Sequence, residues 1–197
     1  MIYENEIARS KLKYKAILLS IEELSNEAIR ERCKISECYG KRYSCPPLAP
    51  PISHFKKDFQ NIFAYLIFTE GKDINNWYFL SDLTYSLGRR VEEYLEGISF
   101  AAGECRLCEI CEAELGKPCS KPKEMRYSFT GVGLDAGKLS EILNYRLWDE
   151  ARISAVGGCL TNKETAEHEM LFQIFCEVAN KTTRDKGHPS KALEPYW

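Results

Sequence analysis

The stretch Asn61-Ile-Phe-Ala-Tyr-Leu-Ile-Phe-Thr69 is one of the longest apolar runs of the chain, and Glu70-Gly71 ends it. A run of this length that is bounded by turn-forming residues predicts a buried β-strand. Residues 14–20 and the residues around 150–157 predict two further strands, one on each side of it in the sequence. Together, the three segments predict a sheet at the centre of the fold.

Amphipathic segments between and after these strands predict helices. Apolar residues recur every three or four positions over 76–96, which predicts a long helix with one buried face, and Gly97 ends it. Shorter helices are predicted over 25–32 with Ser25 as the cap, over 136–147 with Asp135 as the cap, and over 163–180. The alternation of strands and helices predicts an α/β or α+β fold with a small mixed sheet.

Composition limits the classes of protein that the chain can represent. Its 197 residues carry 27 Lys and Arg against 29 Asp and Glu, a net charge of −2, so no basic excess indicates a nucleic-acid or membrane partner. The apolar runs are much shorter than the roughly 20 residues that a membrane-spanning helix needs. The first residues do not have the pattern of a signal peptide. We therefore expect a soluble, cytoplasmic protein.

The chain contains nine cysteines, which is a high number for a protein of a reducing compartment. In such a compartment, a high cysteine content indicates metal binding or redox chemistry more often than disulfides. Seven of the nine fall into two groups. The first cysteine group has the spacing C-x4-C-x6-C and consists of Cys33, Cys38 and Cys45. The second cysteine group has the spacing C-x2-C-x2-C-x7-C and consists of Cys105, Cys108, Cys111 and Cys119. Cys159 stands alone after Gly157-Gly158. Cys176 lies in an apolar helical pattern that is typical of a core residue.

The second cysteine group predicts an iron–sulfur cluster. Three thiolates at intervals of three residues allow one tight loop to surround an inorganic cube, and a fourth ligand comes from further along the chain. Ferredoxins use the related spacing C-x2-C-x2-C-x3-C-P, although their fourth cysteine ligates the neighbouring cluster. Zinc is the alternative, but tetrahedral zinc sites usually take one closely spaced cysteine pair from each of two hairpins.

The first cysteine group predicts further ligands, because the residues between its cysteines are polar and loop-like. The alternative is that these cysteines are small buried thiols beside a proline-rich turn. Three thiolates leave the fourth position of a cube to another ligand, for which Cys159, His54 and solvent are candidates. Cys159 is the best protein candidate, because two glycines precede it in a predicted turn. An iron that is held by solvent would be an open site for a substrate.

Three motifs carry a resemblance to a known family: Arg32-Cys33-x4-Cys38-Tyr39-Gly40-x4-Cys45-Pro46-Pro47, Gly103-x-Cys105-x2-Cys108-x2-Cys111-x7-Cys119-x2-Pro122, and Gly131-x-Gly133-Leu134-Asp135. Over roughly residues 30–160 the chain resembles the "predicted metal-binding protein" family of anaerobic bacteria and methanogenic archaea. The resemblance implies that the seven grouped cysteines bind metal, with iron–sulfur clusters as the usual supposition. It implies no particular substrate or reaction.

The sequence therefore predicts an iron–sulfur protein with one or two [4Fe–4S] clusters. It would transfer electrons to a redox partner protein, or perform redox chemistry on a small molecule at a cluster with an open iron, so its status as an enzyme stays open. The alternative is a zinc-stabilised interaction module without redox activity. We expect one metal-binding domain over residues 1–185, with a ferredoxin-like cysteine loop at 103–123, and a loosely ordered tail over 186–197.

Overall fold

The computed structural model describes residues 2–7, 12–70, 74–147 and 151–186. Strands in these residues form one mixed sheet in the order β1-β2-β3-β6-β4-β5. Their bounds are β1 Ile2–Ile7, β2 Leu12–Ser20, β3 Asn61–Glu70, β4 Ile98–Ala101, β5 Tyr127–Ser128 and β6 Arg152–Thr161. Neighbouring strands are antiparallel except for β4 and β5, which are parallel. The predicted α/β fold with a mixed sheet is confirmed.

Helices cover both faces of this sheet. The α-helices are α1 Ile21–Leu24, α2 Ile74–Leu95, α3 Ala136–Ile142 and α4 His168–Lys186, and 3-10 helices span Glu27–Ile35, Ile52–His54 and Glu112–Leu115. In β3, Phe63 and Tyr65 pack with α2 and α4, whereas Ile62 and Leu66 pack with α1 and α3 on the opposite face. Because both faces are covered, β3 is apolar along almost its whole length. Within the described residues, every helix is too short or too polar to span a bilayer.

The helix that was predicted over 25–32 is the 3-10 helix Glu27–Ile35, Ser25 does not cap it, and a separate short helix, α1, precedes it. Ser20 caps α1, and the Glu23 side chain accepts a hydrogen bond from the Ser20 backbone in return, which is the reciprocal arrangement of a capping box. Ser25 instead follows α1 and donates its hydroxyl to the Ile21 carbonyl. The helical segment that follows is the 3-10 helix Glu27–Ile35, which contains Cys33 rather than ending before it.

The turn that was predicted at Gly157-Gly158-Cys159 is wrong, because these residues lie inside strand β6. A Cβ atom on Gly157 would lie 2.6 Å from the Tyr65 ring, so this glycine makes room for an aromatic side chain on the neighbouring strand. Strands β1, β4 and β5 were not predicted from the sequence. The last two helices differ from their predictions in length. Helix α3 ends at Ile142 and α4 begins at His168. Apart from Lys186, the predicted tail lies outside the described residues.

Candidate metal centre

The second cysteine group lies in the long connection between β4 and β5, residues 102–126, which we call the second cysteine loop. Helix α2 holds the start of this loop. Ser81 Oγ donates to the Ala102 carbonyl at 2.7 Å, and the Ala102 amide donates to Thr84 Oγ1 at 3.0 Å. Arg106 Nη2 donates to the Asp82 carboxylate at 2.6 Å. The backbone just before and after Cys105 is therefore fixed to a helix of the core.

Helix α2 also holds the end of the second cysteine loop. Three of its side chains, spaced so that they lie on one helix face, bind residues that lie shortly before β5. The contacts are Tyr85 Oη to the Glu124 carbonyl (2.7 Å), Arg89 Nη1 to the Lys123 carbonyl (3.2 Å) and Arg126 Nε to the Glu92 carboxylate (2.6 Å). The loop that carries the four cysteines is thus fixed at both ends to the same helix.

The four sulfur-bearing side chains of the second cysteine group line one cavity of about 20 Å³, together with residues 42–44. Burial raises the pKa of the Cys105 thiol, while a hydrogen bond from the Leu107 amide lowers it. Electrostatic repulsion from Cys108, Cys111 and Cys119 raises it further, so these thiols lie within electrostatic range of Cys105. The sequence spacing therefore brings all four members of the group together in space.

The chemistry of the cavity lining suits a cationic group. Cys111 precedes the 3-10 helix Glu112–Leu115, and Gly116 ends that helix in the left-handed conformation with φ 66°. Glu112 lines the cavity, and its Oε2 atom is buried without a hydrogen-bond partner in the described structure. A buried carboxylate oxygen of this kind is costly unless a proton or a cation satisfies it. Four thiols and one carboxylate form a donor set that fits a thiophilic metal centre.

The first cysteine group is also brought together. Cys33 lies in the 3-10 helix Glu27–Ile35, and burial followed by the neighbouring charge of Cys38 raises the pKa of its thiol. A hydrogen bond from the Cys45 thiol lowers the pKa of Cys38 to about 6, and Ser36 Oγ lies 3.4 Å from Cys38 Sγ. The same hydrogen bond and burial raise the pKa of Cys45. Cys38 is thus the central member of the group, with a partner on each side.

Residues 42–44, between Cys38 and Cys45, connect the first cysteine group to the second cysteine loop. Arg42 donates to the carbonyls of Cys108 (3.2 Å) and Glu109 (3.3 Å), and Tyr43 Oη donates to the Lys117 carbonyl at 2.7 Å. The Cys105 amide donates to Ser44 Oγ at 2.8 Å, and Ser44 is fully buried. We call residues 42–44 the strut, because they join the two groups.

The strut also limits the distance between the groups. Ser44 Oγ lies 3.7 Å from Cys45 Sγ and 2.8 Å from the Cys105 amide nitrogen. Adding the reach of one cysteine side chain limits the separation of Cys45 Sγ and Cys105 Sγ to about 10 Å. Glu104, which directly precedes Cys105, lies close enough to the first group for its charge to raise the pKa of both Cys38 and Cys45. The two groups are therefore neighbours at one end of the molecule.

The remaining sequence candidates lie elsewhere. Cys159 is fully buried between the sheet and α2, where its thiol contacts the Leu160 carbonyl and the backbone at Gly97. The chain that follows the first cysteine group packs Ile52 and Phe55 on the opposite face of the sheet, so Cys159 would have to leave the core to reach that group. His54 packs edge-on against Phe55 at 5.2 Å. Cys176 lies at the edge of the core on α4, as predicted.

Within the residues that the structure describes, no three Cys, His, Asp or Glu side chains are already arranged to hold a metal ion. The four thiols of the second group share a cavity, but ligation would require their side chains to rotate toward a common centre. None of the nine cysteines, all of which lie in the described residues, forms a disulfide. The cysteines of both groups are therefore free thiols that are available as ligands, and metal binding would bring them into their final coordination geometry.

The strut and the contacts from α2 were not predicted from the sequence. Arg42, Tyr43 and Ser44 are ordinary polar residues between two cysteines, and their partners lie more than 60 positions away. The only sequence signal was that this interval is polar, which indicates a loop but does not identify what the loop contacts.

Comparison with protein families identifies a match. The family model described as "Predicted metal-binding protein (DUF2284)" matches residues 18–160, which include both cysteine groups, the strut and α2. No curated protein and no solved structure matches the chain.

Proposed function

The chain belongs to the family of predicted metal-binding proteins, and from this premise we propose that it is an iron–sulfur protein. In this proposal Cys105, Cys108, Cys111 and Cys119 ligate a [4Fe–4S] cluster that takes part in electron transfer. The observation that carries the proposal is that these four side chains line a single cavity. Their C-x2-C-x2-C spacing is the one by which ferredoxin-type loops surround a cluster.

The residues around the cavity would stabilise such a centre and adjust its potential. A bound [4Fe–4S] cluster supplies one-electron chemistry, at a potential that hydrogen bonds to sulfur and nearby charges control. The Leu107 amide already donates to Cys105, which favours the thiolate form of this ligand. Arg42 and Lys121 line the cavity and would offset the negative charge of four thiolates, while Glu112 would oppose them.

We further propose that Cys33, Cys38 and Cys45 hold a second thiolate-ligated centre. The upper limit of about 10 Å on the distance between Cys45 Sγ and Cys105 Sγ supports electron exchange between two such centres. With Cys159 in the core, the fourth ligand of a cube at the first group would be solvent or a substrate atom. That would make the first group the place for redox chemistry on a small molecule, and the second group the path to a redox partner protein.

Zinc is the second candidate, and one observation favours it. The cavity of about 20 Å³ has room for about one small molecule or ion, whereas a cube of four irons and four sulfides needs a larger space. A tetrahedral zinc site with four cysteines would make the second cysteine loop a structural module without redox activity. Both candidates need reduced thiols, so we propose a cytoplasmic location in either case.

The test is metal analysis of the full chain purified without oxygen. We expect about four or eight irons with matching acid-labile sulfide per chain, and an electron paramagnetic resonance signal after reduction with dithionite. Colourless protein with stoichiometric zinc and no sulfide would replace the iron–sulfur proposal by the zinc proposal. Protein that binds neither metal after anaerobic reconstitution would overturn both.

Variants locate the centre. Cys108→Ser should abolish the signal of the second group and lower the iron content by about four irons. Cys176→Ala is the matched control, because this cysteine lies on α4 outside both groups, and it should keep the iron content and the spectrum of the parent protein. Equal losses in the two variants would contradict the assignment of the second group as ligands.

A further inference from the structure

The strut makes more contacts with the second cysteine loop than a simple connection between Cys38 and Cys45 requires. Its three consecutive residues bind the loop at Cys105, at Cys108 and Glu109, and at Lys117. Arg42 also lies 3.9 Å from the Glu114 carboxylate. These contacts are distributed over most of the segment in which the four cysteines of the second group lie.

Two cysteines of the first group hold Arg42, the first residue of the strut, and Cys45 directly follows Ser44, its last residue. The Arg42 amide donates to the Cys38 carbonyl at 3.2 Å, and the Cys45 amide donates to the Arg42 carbonyl at 3.0 Å. The Ser128 amide donates to the Ser44 carbonyl at 2.9 Å, which attaches the strut to strand β5. A metal that Cys38 and Cys45 ligate would therefore immobilise the backbone on both sides of the strut.

We propose that the strut couples the two cysteine groups, so that metal bound at one group raises the affinity of the other. The inference rests on the proposed function, because it requires that both groups bind metal. A loop must be ordered before its thiolates converge on a metal, and that entropic cost opposes binding. When the first group is occupied, the strut is rigid, and the second cysteine loop has less conformational freedom left to lose.

The coupling must be reciprocal, because it is a difference in binding free energy. If occupation of the first group raises the affinity of the second, occupation of the second raises the affinity of the first by the same factor. Couplings between sites of this kind commonly change affinity by about fivefold or more. Arg42, Tyr43 and Ser44 are in this sense positioning residues, since they act through the cysteines and not on the metal itself.

The experiment uses Zn²⁺ as the probe, because cysteine thiolates bind it whichever metal the protein carries in the cell. Metal-free, reduced full-length protein is titrated with Zn²⁺ against a chelator, and protection of each cysteine from alkylation is measured by peptide mass spectrometry. The readout resolves the two groups separately and does not depend on any activity. We expect Cys38→Ala to lower the Zn²⁺ affinity of the second group at least about fivefold, and Cys108→Ala to lower that of the first group by the same factor.

Strut variants test whether the coupling runs through these contacts. The triple variant Arg42→Gln, Tyr43→Phe, Ser44→Ala keeps every cysteine but removes the side-chain bonds of the strut to the second cysteine loop. In this background, loss of one group should change the affinity of the other less than about twofold. Lys41→Gln is the matched control, because Lys41 is exposed beside the strut, and the coupling should be retained. The single variant Arg42→Lys should retain part of the coupling, because lysine keeps the positive charge of this position.

The outcomes separate the two proposals. If no cysteine of the parent protein is protected by Zn²⁺, the proposed metal centres fail and the coupling fails with them. If both groups are protected but Cys38→Ala leaves the second group unchanged, the metal centres stand and the coupling is wrong. If coupling persists in the triple strut variant, it exists but does not run through the side chains of Arg42, Tyr43 and Ser44. That result also overturns the inference.

Discussion

The hydroxyl of Ser44 accepts a hydrogen bond from the amide nitrogen of Cys105 at 2.8 Å, and Ser44 has no solvent-exposed surface. The same oxygen lies 3.7 Å from Cys45 Sγ. One small side chain therefore touches a member of each cysteine group. This contact connects two sequence motifs whose nearest cysteines, Cys45 and Cys105, are 60 residues apart, and it locates both motifs at one site.

Replacing Ser44 tests how much this contact contributes to stability. Ser44→Ala leaves the Cys105 amide without its acceptor in a partly buried site, which should lower the free energy of unfolding by about 1–3 kcal/mol. The measurement is urea unfolding of the metal-free protein. Ser140→Ala is the control, because its hydroxyl bonds at an exposed helix position, and it should change stability by less than about 0.5 kcal/mol. Equal losses of unfolding free energy in the two variants would contradict the prediction that the Ser44 contact stabilises the fold more than an exposed hydrogen bond does.

Replacing Glu92 tests the attachment of the loop to α2. Its carboxylate accepts hydrogen bonds from Arg126 and from the amide and hydroxyl of Ser99, and the Glu92 and Arg126 side chains are each only 14% exposed. Glu92→Gln leaves a partly buried guanidinium without its counter-charge, so we expect a loss of about 2–4 kcal/mol in the free energy of unfolding. Glu93→Gln is the control. Glu93 is 61% exposed, and its loss should cost less than about 0.5 kcal/mol.

Replacing Gly97 tests the close packing between the end of α2 and strand β6. A Cβ atom at this position would lie 1.8 Å from the Leu160 carbonyl oxygen and 2.8 Å from Cys159 Sγ. Gly97→Ala should therefore lower the free energy of unfolding by about 3 kcal/mol or more, measured by chemical denaturation. In contrast, Gly137→Ala meets only the end of the Asp135 carboxylate at 3.1 Å and should stay within about 1 kcal/mol of the parent. Similar losses would contradict the proposed clash.

The thiol of Cys38 should be the most reactive of the first group in metal-free protein. Its pKa is lowered to about 6, so it is mostly thiolate at pH 7, and its rate of alkylation by iodoacetamide should be half-maximal near pH 6. Cys45 should react slowly at that pH, because its pKa is raised. Cys45→Ala removes the hydrogen-bond donor and should move the half-maximum upward, whereas Cys176→Ala should leave it unchanged. A rate that rises only above pH 8 in the parent protein would contradict the prediction.

The elements with strong periodicity were predicted well. Strands β2 and β3 and helix α2 lie within a few residues of their expected bounds, because an apolar run or a 3.6-residue repeat marks each of them. Strands β4 and β5 were missed, since four and two residues are too short to show a pattern. The glycines of β6 suggested a turn, because the sequence does not reveal that Tyr65 needs the space that they leave.

The residues of the candidate site were predicted from the spacing of the cysteines, but the contacts that hold the two cysteine groups together were not. The interval between Cys105 and Cys119 was enough to predict that these residues come together, because the cysteines lie on one short segment. The contact between the two groups depends on the position of β5 beside β4, and this pairing brings Ser128 to Ser44. A long-range arrangement of this kind follows from the sheet topology and has no local signature in the sequence.

Helix α2 binds residues at both ends of the second cysteine loop, so both ends of the loop are anchored to one helix. A protease that cuts the backbone once between residues 107 and 122 would leave an N-terminal fragment that contains α2 and a C-terminal fragment that α2 still binds at Lys123, Glu124 and Arg126. The nicked protein should therefore migrate as one species under native conditions and separate only in denaturant. Lys117 and Lys121 each precede a proline, so trypsin in particular should spare these two sites.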